Sequence, residues 1–449
     1  MKLIPRKGGL RAWLSEAIRK QIVSDYIYAY PPRQSYGPIN NNSLDSLINS
    51  SLERSSSINL YFHIPHCRQL CSYCNLFATQ GSEYPISSYI ALLVRELNIL
   101  YANRLKDKKI STIYIGGGTP SIAPAQSIGD LLQSVETLFC SSLEDIPEVA
   151  IEIDPQTVNI HKLRDFRRVG INRINLGVQT LNPDELSGIN RLRLNNSLID
   201  VIADALSVGF DNVCVDLIYG LRGQTENSWR HSVATIARIA PHTICIYPLT
   251  LRTKTIYAAT GYQDVSDAEQ ISKMRIAHEI LLNNGYRRET HVRYIKDGGG
   301  YQQKKNHWSL ENILGVGAGA RSYLWEGDFR NGYSTRNRKS VVTTYANKIA
   351  NHLFPADSGF LMSSIERMRK AIILGLHDFD RAWYKSLFGV DVTVDFMEEF
   401  SVLEELGLVF VSPERIWLTD DGYFARDSIV QAFFSDSVIE RVSSYSYKE

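Results

Sequence analysis

The chain has 449 residues, of which 44% are hydrophobic and 22% charged, and its formal net charge is +1. That length accommodates one large domain with one or two smaller ones, and the near-neutral balance argues against nucleic acid or an anionic membrane as the main partner. No apolar run reaches the length of a membrane span, and six cysteines without an evenly spread framework point to a reducing, cytoplasmic setting rather than a disulfide scaffold.

Residues 1–57 read as an arm and linker. Lys2, Arg6 and Lys7 lead into Gly8-Gly9 rather than an apolar signal core. A short helix is expected from about Leu10 to Tyr26, followed by the irregular aromatic and prolyl stretch Tyr26 to Gln34. That stretch either packs on the main domain or forms part of a substrate lid. The Asn- and Ser-rich tract from Asn40 to Ser57 reads as a mobile connection.

From residue 58 to about 285, β-prone runs alternate with amphipathic segments. The runs are Ile58–Ile64, Thr112–Ile115, Val149–Ile153, Arg173–Val178, Asn212–Ile218 and Thr243–Tyr247. Helical patterns cover roughly 86–106, 125–139, 157–169, 182–208 and 227–239, and a longer one runs from about Asp267 to Asn284. Such alternation predicts an α/β fold, with a parallel sheet and right-handed crossovers, either doubly wound or an incomplete barrel.

Directly after the first run stand Cys67, Cys71 and Cys74, half of the cysteines of the chain. Thiolates at this spacing suit an iron–sulfur cluster with one iron left open, or zinc. Positions i, i+4 and i+7 also share a helix face, so a core helix gives the same pattern, although Pro65 argues against it. The other cysteines, Cys140, Cys214 and Cys245, stand singly in apolar contexts and read as core residues.

The later strand ends carry unusual polar or glycine residues as well. They are Gly116-Gly117-Gly118-Thr119-Pro120, Glu152 with Asp154-Pro155, Gly177-Val178-Gln179-Thr180, Asp216-Leu217-Ile218-Tyr219-Gly220, and Tyr247-Pro248-Leu249. Ligands bind at the carboxyl ends of parallel strands, so these ends describe one composite site.

Residues 286–355 extend the barrel on the substrate side. Gly298-Gly299-Gly300 reads as a flexible connection able to open a lid, and the glycines of 315–319 lack the strand–turn–helix setting of a nucleotide loop. Residues 356–449 contain helical patterns at 361–375 and 394–406 and a hairpin, Leu408–Val411 with Arg415–Leu418. A further helix is N-capped by Thr419. This predicts a small winged-helix-like domain, and its lack of basic character sets DNA binding aside.

Tyr61-Phe62-His63-Ile64-Pro65-His66-Cys67-x3-Cys71-x-Tyr73-Cys74 resembles the opening of the HemN-like radical S-adenosylmethionine (SAM) enzymes. The later blocks resemble the same family in order, from about residue 58 to 330. The resemblance implies a partial (β/α)6 barrel with an N-terminal arm and a C-terminal helical cap on the substrate opening. It implies a [4Fe-4S] cluster on Cys67, Cys71 and Cys74, and SAM contacts from Tyr61, Gly117 and Glu152. A 5′-deoxyadenosyl radical would abstract hydrogen from a small-molecule or modified-peptide substrate. A low-potential donor such as flavodoxin or ferredoxin would supply electrons. Tyr73, Gly118, Thr119, Gln179, Arg191 and Asp216 match contacts of a second SAM in coproporphyrinogen oxidase, and His291, in a block lining the substrate side, reads either as a proton donor or as a buried hydrogen-bonded residue. Arg191 with Arg193, and Arg222, depart from the common family pattern. Leu76 replaces a cysteine of that oxidase. The resemblance therefore implies radical methyl transfer ahead of oxidative decarboxylation, with a haem-binding chaperone as the alternative of a different class.

Overall fold

The computed structural model describes residues 9–20, 25–81, 84–191, 197–251, 255–262, 265–332 and 338–445. Six strands, β1 (Ser57–Ile64), β2 (Lys109–Gly117), β3 (Glu148–Ile153), β4 (Arg173–Gln179), β5 (Asn212–Tyr219) and β6 (Thr243–Pro248), pair in sequence order and all in parallel. Ile313–Val316 joins β1 in parallel, and four antiparallel strands continue beyond it, the last being Gly37–Pro38 of the arm, while Arg293–Ile295 and then Arg287–Arg288 extend the β6 side antiparallel. This is the partial (β/α)6 barrel expected from the alternation.

The period of two along each strand divides its residues between core and interior. Ile113 and Ile115, Ile151 and Ile153, Ile174 and Leu176, Val213 and Val215, and Ile244 and Ile246 are buried beneath the helices. Their neighbours Tyr114, Glu152, Asn175, Asp216 and Cys245 face the barrel interior instead. The helices between strands begin at side-chain caps. Asn159 accepts from the Lys162 amide, Thr225 and Ser228 form a reciprocal capping box, and Ser266 accepts from the Glu269 amide.

Several expectations are corrected. Asn40–Ser57 is not a mobile connection: Asn41–Glu53 is a helix whose N-cap, Asn40, accepts from the Ser43 amide. Leu44, Leu47, Ile48, Ser51 and Leu52 recur at one-face spacing and are buried in the main core, and the surrounding asparagines and serines form the outer face. The first helix ends at Arg19, while Tyr26 itself lies in extended chain. The pattern at 182–208 divides into Pro183–Gly188 and Leu198–Val208.

Gly298-Gly299-Gly300 is not a hinge. A Cβ on Gly299 would stand 2.2 Å from the His242 carbonyl oxygen, so only glycine fits this close backbone approach. Gly300 donates to Thr243 Oγ1 at 2.9 Å and its carbonyl accepts from Asn212 Nδ2 at 2.8 Å and Arg173 Nε at 3.3 Å. The segment plugs the amino-terminal end of the barrel.

The C-terminal residues form a second apolar cluster built around Ser364–Gly375, Met397–Glu405 and a three-stranded sheet of Asp378–Asp380, Val409–Val411 and Arg415–Leu418. Thr419 caps the following helix, as its position predicts. Trp13, Leu14, Ile27 and Tyr30 of the arm belong to this same cluster. Among the described residues no helix is long and apolar enough to cross a membrane.

Candidate functional site

The strand ends surround a cavity of about 670 Å³. Its wall receives Tyr61 and His63 from β1, Tyr114 and Gly117 from β2, Glu152 from β3, Gln179 from β4, Asp216 from β5, and Cys245 and Tyr247 from β6. All three cysteines of the Cys67–Cys74 loop lie on this wall, half-buried and outside any disulfide.

The loop is held by backbone contacts, not by a helix. The Cys67 amide donates to the Thr79 carbonyl at 2.9 Å, the Ser72 amide to Ile189 at 3.1 Å, and the Cys74 amide to Cys71 at 3.1 Å. This removes the core-helix alternative. Burial pushes the Cys67 thiol up to about 12, with the Thr119 hydroxyl, 3.3 Å from the sulfur, acting in the opposite sense. A buried thiolate here needs a cation, and three convergent soft ligands fit an iron–sulfur cluster with an open iron.

Beside the loop, the Tyr61 hydroxyl donates to His63 Nδ1 at 2.8 Å, and His63 Nε2 donates to the Phe77 carbonyl at 2.9 Å. The carbonyl can only accept, which assigns the tautomer. Burial lowers the His63 pKa to about 4, so the ring stays neutral and fixes Tyr61. Glu152 accepts from the Gly117 amide and the Tyr114 hydroxyl, both at 3.0 Å, and burial raises its pKa to about 7. Among the described residues it has no ion-pair partner within 4 Å. A carboxylate held this way on a cavity wall suits the ammonium of an amino-acid group.

Gly117 and Gly118 are required by packing as much as by any ligand. Gly117 has φ +125°, and a Cβ there would lie 2.8 Å from the Ile64 carbonyl oxygen; at Gly118 it would lie 2.7 Å from that of His66. These glycines lock the end of β2 against the start of the cysteine loop.

Gln179 adopts φ +71° at a register shift between β4 and β5, and its amide lies beneath Gly177. A bulge of this kind re-aims a side chain at a strand end. Arg191 is largely buried: its side chain is 10% exposed, it donates to the Gly177 carbonyl, and it stands 3.7 Å from Asp154. Tyr73 lies against Cys71 and Arg191. Arg193 lies outside the described residues. Asp216 accepts from Asn175 Nδ2 at 2.6 Å.

His291 does not reach the cavity. It is buried behind Tyr26, stacks on His377 at a 5.2 Å centroid distance, and has Nε2 3.2 Å from Asp427 Oδ2. Burial lowers its pKa, so it stands as a neutral packing residue between barrel and C-terminal cluster. Cys140 is exposed at a helix end, contrary to the core reading, whereas Cys214 and Cys245 are buried. Leu76 is 51% exposed and lies on the cavity wall.

The outer wall comes from the arm: Tyr26, Ile27, Tyr28, Ala29, Pro32, Arg33 and Gln34 line the cavity. No described residue beyond Arg330 does so. The C-terminal cluster therefore does not itself cover the opening. It holds the arm that does, through Tyr30 Oη to Glu366 Oε2 at 2.5 Å, the Ile27 amide to Asp427 Oδ1 at 3.1 Å, and Arg426 to the Ile27 carbonyl.

Another part of the wall is cationic. Lys304, Arg321 and Arg330 meet there with Tyr28 and Tyr323, and the carboxylates on the cavity wall, Glu152, Asp154 and Asp216, all belong to β3 and β5 or the residue after β3. Burial among cations lowers the Lys304 pKa to about 8, and Arg321 Nε has no partner. These residues come from elements that sequence reading treated as extension and connection.

The Radical SAM superfamily pattern matches residues 61–236. The heme chaperone HemW of Bacillus subtilis is 27% identical over 387 residues, 84% of this chain and 99% of its own. That of Buchnera aphidicola from Acyrthosiphon pisum is 30% identical over 319 residues, 70% of this chain and 79% of its own. The oxygen-independent coproporphyrinogen III oxidase of Pseudomonas aeruginosa is 25% identical over 451 residues, 94% of this chain and 95% of its own. Among solved structures, coproporphyrinogen III oxidase from Escherichia coli superposes with a TM-score of 0.78 at 21% identity, over 91% of this chain and 96% of that one. The cysteine loop on a partial barrel, the matched pattern and the near full-length relatives agree: the chain belongs to the HemN-like family of radical SAM proteins.

Proposed function

We propose that this protein performs radical SAM chemistry on a tetrapyrrole carrying carboxylate side chains. The observation that carries the reading is the cationic wall of Lys304, Arg321 and Arg330 on the same cavity as the cysteine loop. Buried cations, with Arg321 Nε unpartnered, match a ligand with carboxylates, and the rings of Tyr28, Tyr301 and Tyr323 offer apolar faces to a flat macrocycle. The relatives named for haem and for coproporphyrinogen support the same ligand class. Methyl transfer, which the resemblance placed first, finds no support among them, and hydrogen abstraction leading to decarboxylation takes its place.

In this reading Cys67, Cys71 and Cys74 hold the cluster, Tyr61, Gly117 and Glu152 hold SAM, and Tyr73, Gly118, Thr119, Gln179, Arg191 and Asp216 border a second SAM position. When bound, the cluster and SAM supply the electron and the 5′-deoxyadenosyl radical. The chain's own residues orient and enclose. Glu152 receives an ammonium, His63 fixes the Tyr61 hydroxyl, and the arm excludes water from the reacting space. A donor of the flavodoxin or ferredoxin class supplies the electron.

A second reading is haem capture without turnover. Leu76, in place of the cysteine found in the oxidase, favours it, as do the HemW relatives that span most of the chain. The two readings separate on anaerobically reconstituted, reduced protein. 5′-Deoxyadenosine with carbon dioxide from coproporphyrinogen III supports the first, and tight haem binding without SAM cleavage supports the second. S-adenosylhomocysteine as a stoichiometric product would restore methyl transfer. Lys304→Ala and Arg321→Ala should each weaken tetrapyrrole binding about tenfold, the loss of one charge-assisted hydrogen bond. Unchanged affinity in both would refute the carboxylate assignment.

A further inference from the structure

On the far side of the barrel from the cysteine loop, β5 and β6 bring two further thiols and a carboxylate together. Cys214 and Asp216 share the inward face of β5, two residues apart, and parallel register sets Cys245 of β6 directly beside Asp216. The two sulfurs are 3.8 Å apart, Cys214 Sγ is 3.9 Å from Asp216 Oδ1, and all three donor atoms lie within 4.8 Å of one another. We propose that Cys214, Cys245 and Asp216 form a binding site for a thiophilic divalent cation, separate from the cluster site and with zinc as its probe.

The geometry carries this further than ordinary core packing would. Ligands about 2.3 Å from a tetrahedral ion place two sulfurs about 3.8 Å apart, which is the separation found here. Two cysteines forming a disulfide would instead stand about 2 Å apart. The carboxylate is already aimed: Asn175 holds Asp216 through Oδ2 and leaves Oδ1 toward the thiols, the outer-shell arrangement that orients a metal-binding carboxylate. Both Asp216 and Cys245 are on the cavity wall, so the fourth ligand position opens inward, where water or a ligand oxygen can occupy it.

The surroundings match the charge of such a centre. Two thiolates, a carboxylate and a divalent ion sum to one net negative charge. Arg173 stands close enough to Cys214, and Arg293 to Cys245, for each guanidinium to attract the neighbouring thiolate. Arg173 Nη1 and Nη2 and Arg293 Nη2 are buried without a hydrogen-bond partner. Glu148 pairs with Arg173 at Nε, 3.5 Å away, and Glu289 with Arg293 at Nε, so it is the Nη donors that remain for an anionic centre. Occupation of the site also engages Asp216 Oδ1, so the ion and a second SAM compete for that carboxylate.

The test uses the full chain with its cluster reconstituted, equilibrated with zinc chloride and desalted. Zinc and iron are counted by mass spectrometry, and the zinc K-edge absorption, which iron does not contribute to, reports the ligands. One zinc per chain with two sulfur neighbours is expected. Cys214→Ser and Cys245→Ser should each lower retained zinc at least tenfold with iron content unchanged. Should Cys214→Ser fail to fold, Cys245→Ser and Asp216→Asn decide. The proposal is overturned if the wild-type chain retains no zinc, if the double serine variant retains it, or if zinc shows three sulfurs and displaces iron from the Cys67–Cys74 loop.

Discussion

Replacing Tyr30 by phenylalanine isolates the contact that closes the cavity. The ring of Tyr30 is fully buried against Phe434, with centroids 5.1 Å apart, and phenylalanine keeps that packing. What is lost is the hydroxyl, which donates to Glu366 Oε2 at 2.5 Å and accepts from the Ser435 amide at 3.2 Å. Glu366 is only 6% exposed, so water cannot replace the donor without the local structure opening. A hydrogen bond to a charged group contributes about 1.5–3 kcal/mol and a neutral one about 0.5–1.5 kcal/mol. Because the arm relaxes once freed, we expect about 2 kcal/mol of local destabilisation. That corresponds to about 30-fold faster hydrogen exchange at the Ile27 amide and its neighbours. Amides of β3 should not change, since they are buried in the other core. Exchange in the arm that stays within threefold of wild type would refute the locking role. Equal acceleration in β3 would refute it too, because the contact would then support the whole fold instead.

Three other outcomes follow from the same structure. Glu96 is buried, accepts from Tyr345 Oη at 2.6 Å and the Gly317 amide at 2.8 Å, and burial raises its pKa from 4.5 to about 7. Its contribution is therefore fully present below pH 4.5 and is lost as pH rises to about 7, a change of about 3 kcal/mol. Denaturant unfolding of Glu96→Gln between pH 4.5 and 8 should lack that fall, and a parallel pH profile would contradict the assignment. Gly299→Ala forces a methyl group to within 2.2 Å of the His242 carbonyl oxygen, so at least about 1–3 kcal/mol should be lost in thermal or denaturant unfolding; an unchanged midpoint would mean that the plug yields. His63→Phe removes the acceptor that orients Tyr61, and calorimetric SAM titration of the cluster-loaded protein should show about tenfold weaker binding with iron content preserved.

The inward and outward faces of the barrel strands were legible because a two-residue period leaves little choice. Ile151 and Ile153 bracket Glu152, and Val213 and Val215 bracket Cys214, so burying one set points the other inward. Local composition misled wherever long-range packing decides. Asn41–Glu53 reads as a polar tract, yet five residues on one face suffice to bury it, and Gly299 is small because the His242 carbonyl presses on it, not because the chain hinges there. The cationic wall was illegible for a different reason. Tyr28, Lys304, Arg321 and Arg330 have no common motif and meet only through sheet order, which places the strands after residue 313 beside β1. His291 was open between a proton donor and a buried hydrogen-bonded residue, and Asp427 and His377, which are distant in sequence, decide for the second.

The lock between the arm and the C-terminal cluster also bears on the order of assembly. The Ile27 amide and Asp427 are separated by 400 residues, and Tyr30 and Ser435 by 405. As synthesis runs from the amino end, the barrel strands and the cysteine loop emerge before either partner of the arm does. Contacts of such sequence separation also form late during refolding, since closing the intervening chain costs entropy first. The loop consequently passes through a stage in which it is shaped but uncovered, and metal delivered during that interval meets an open wall.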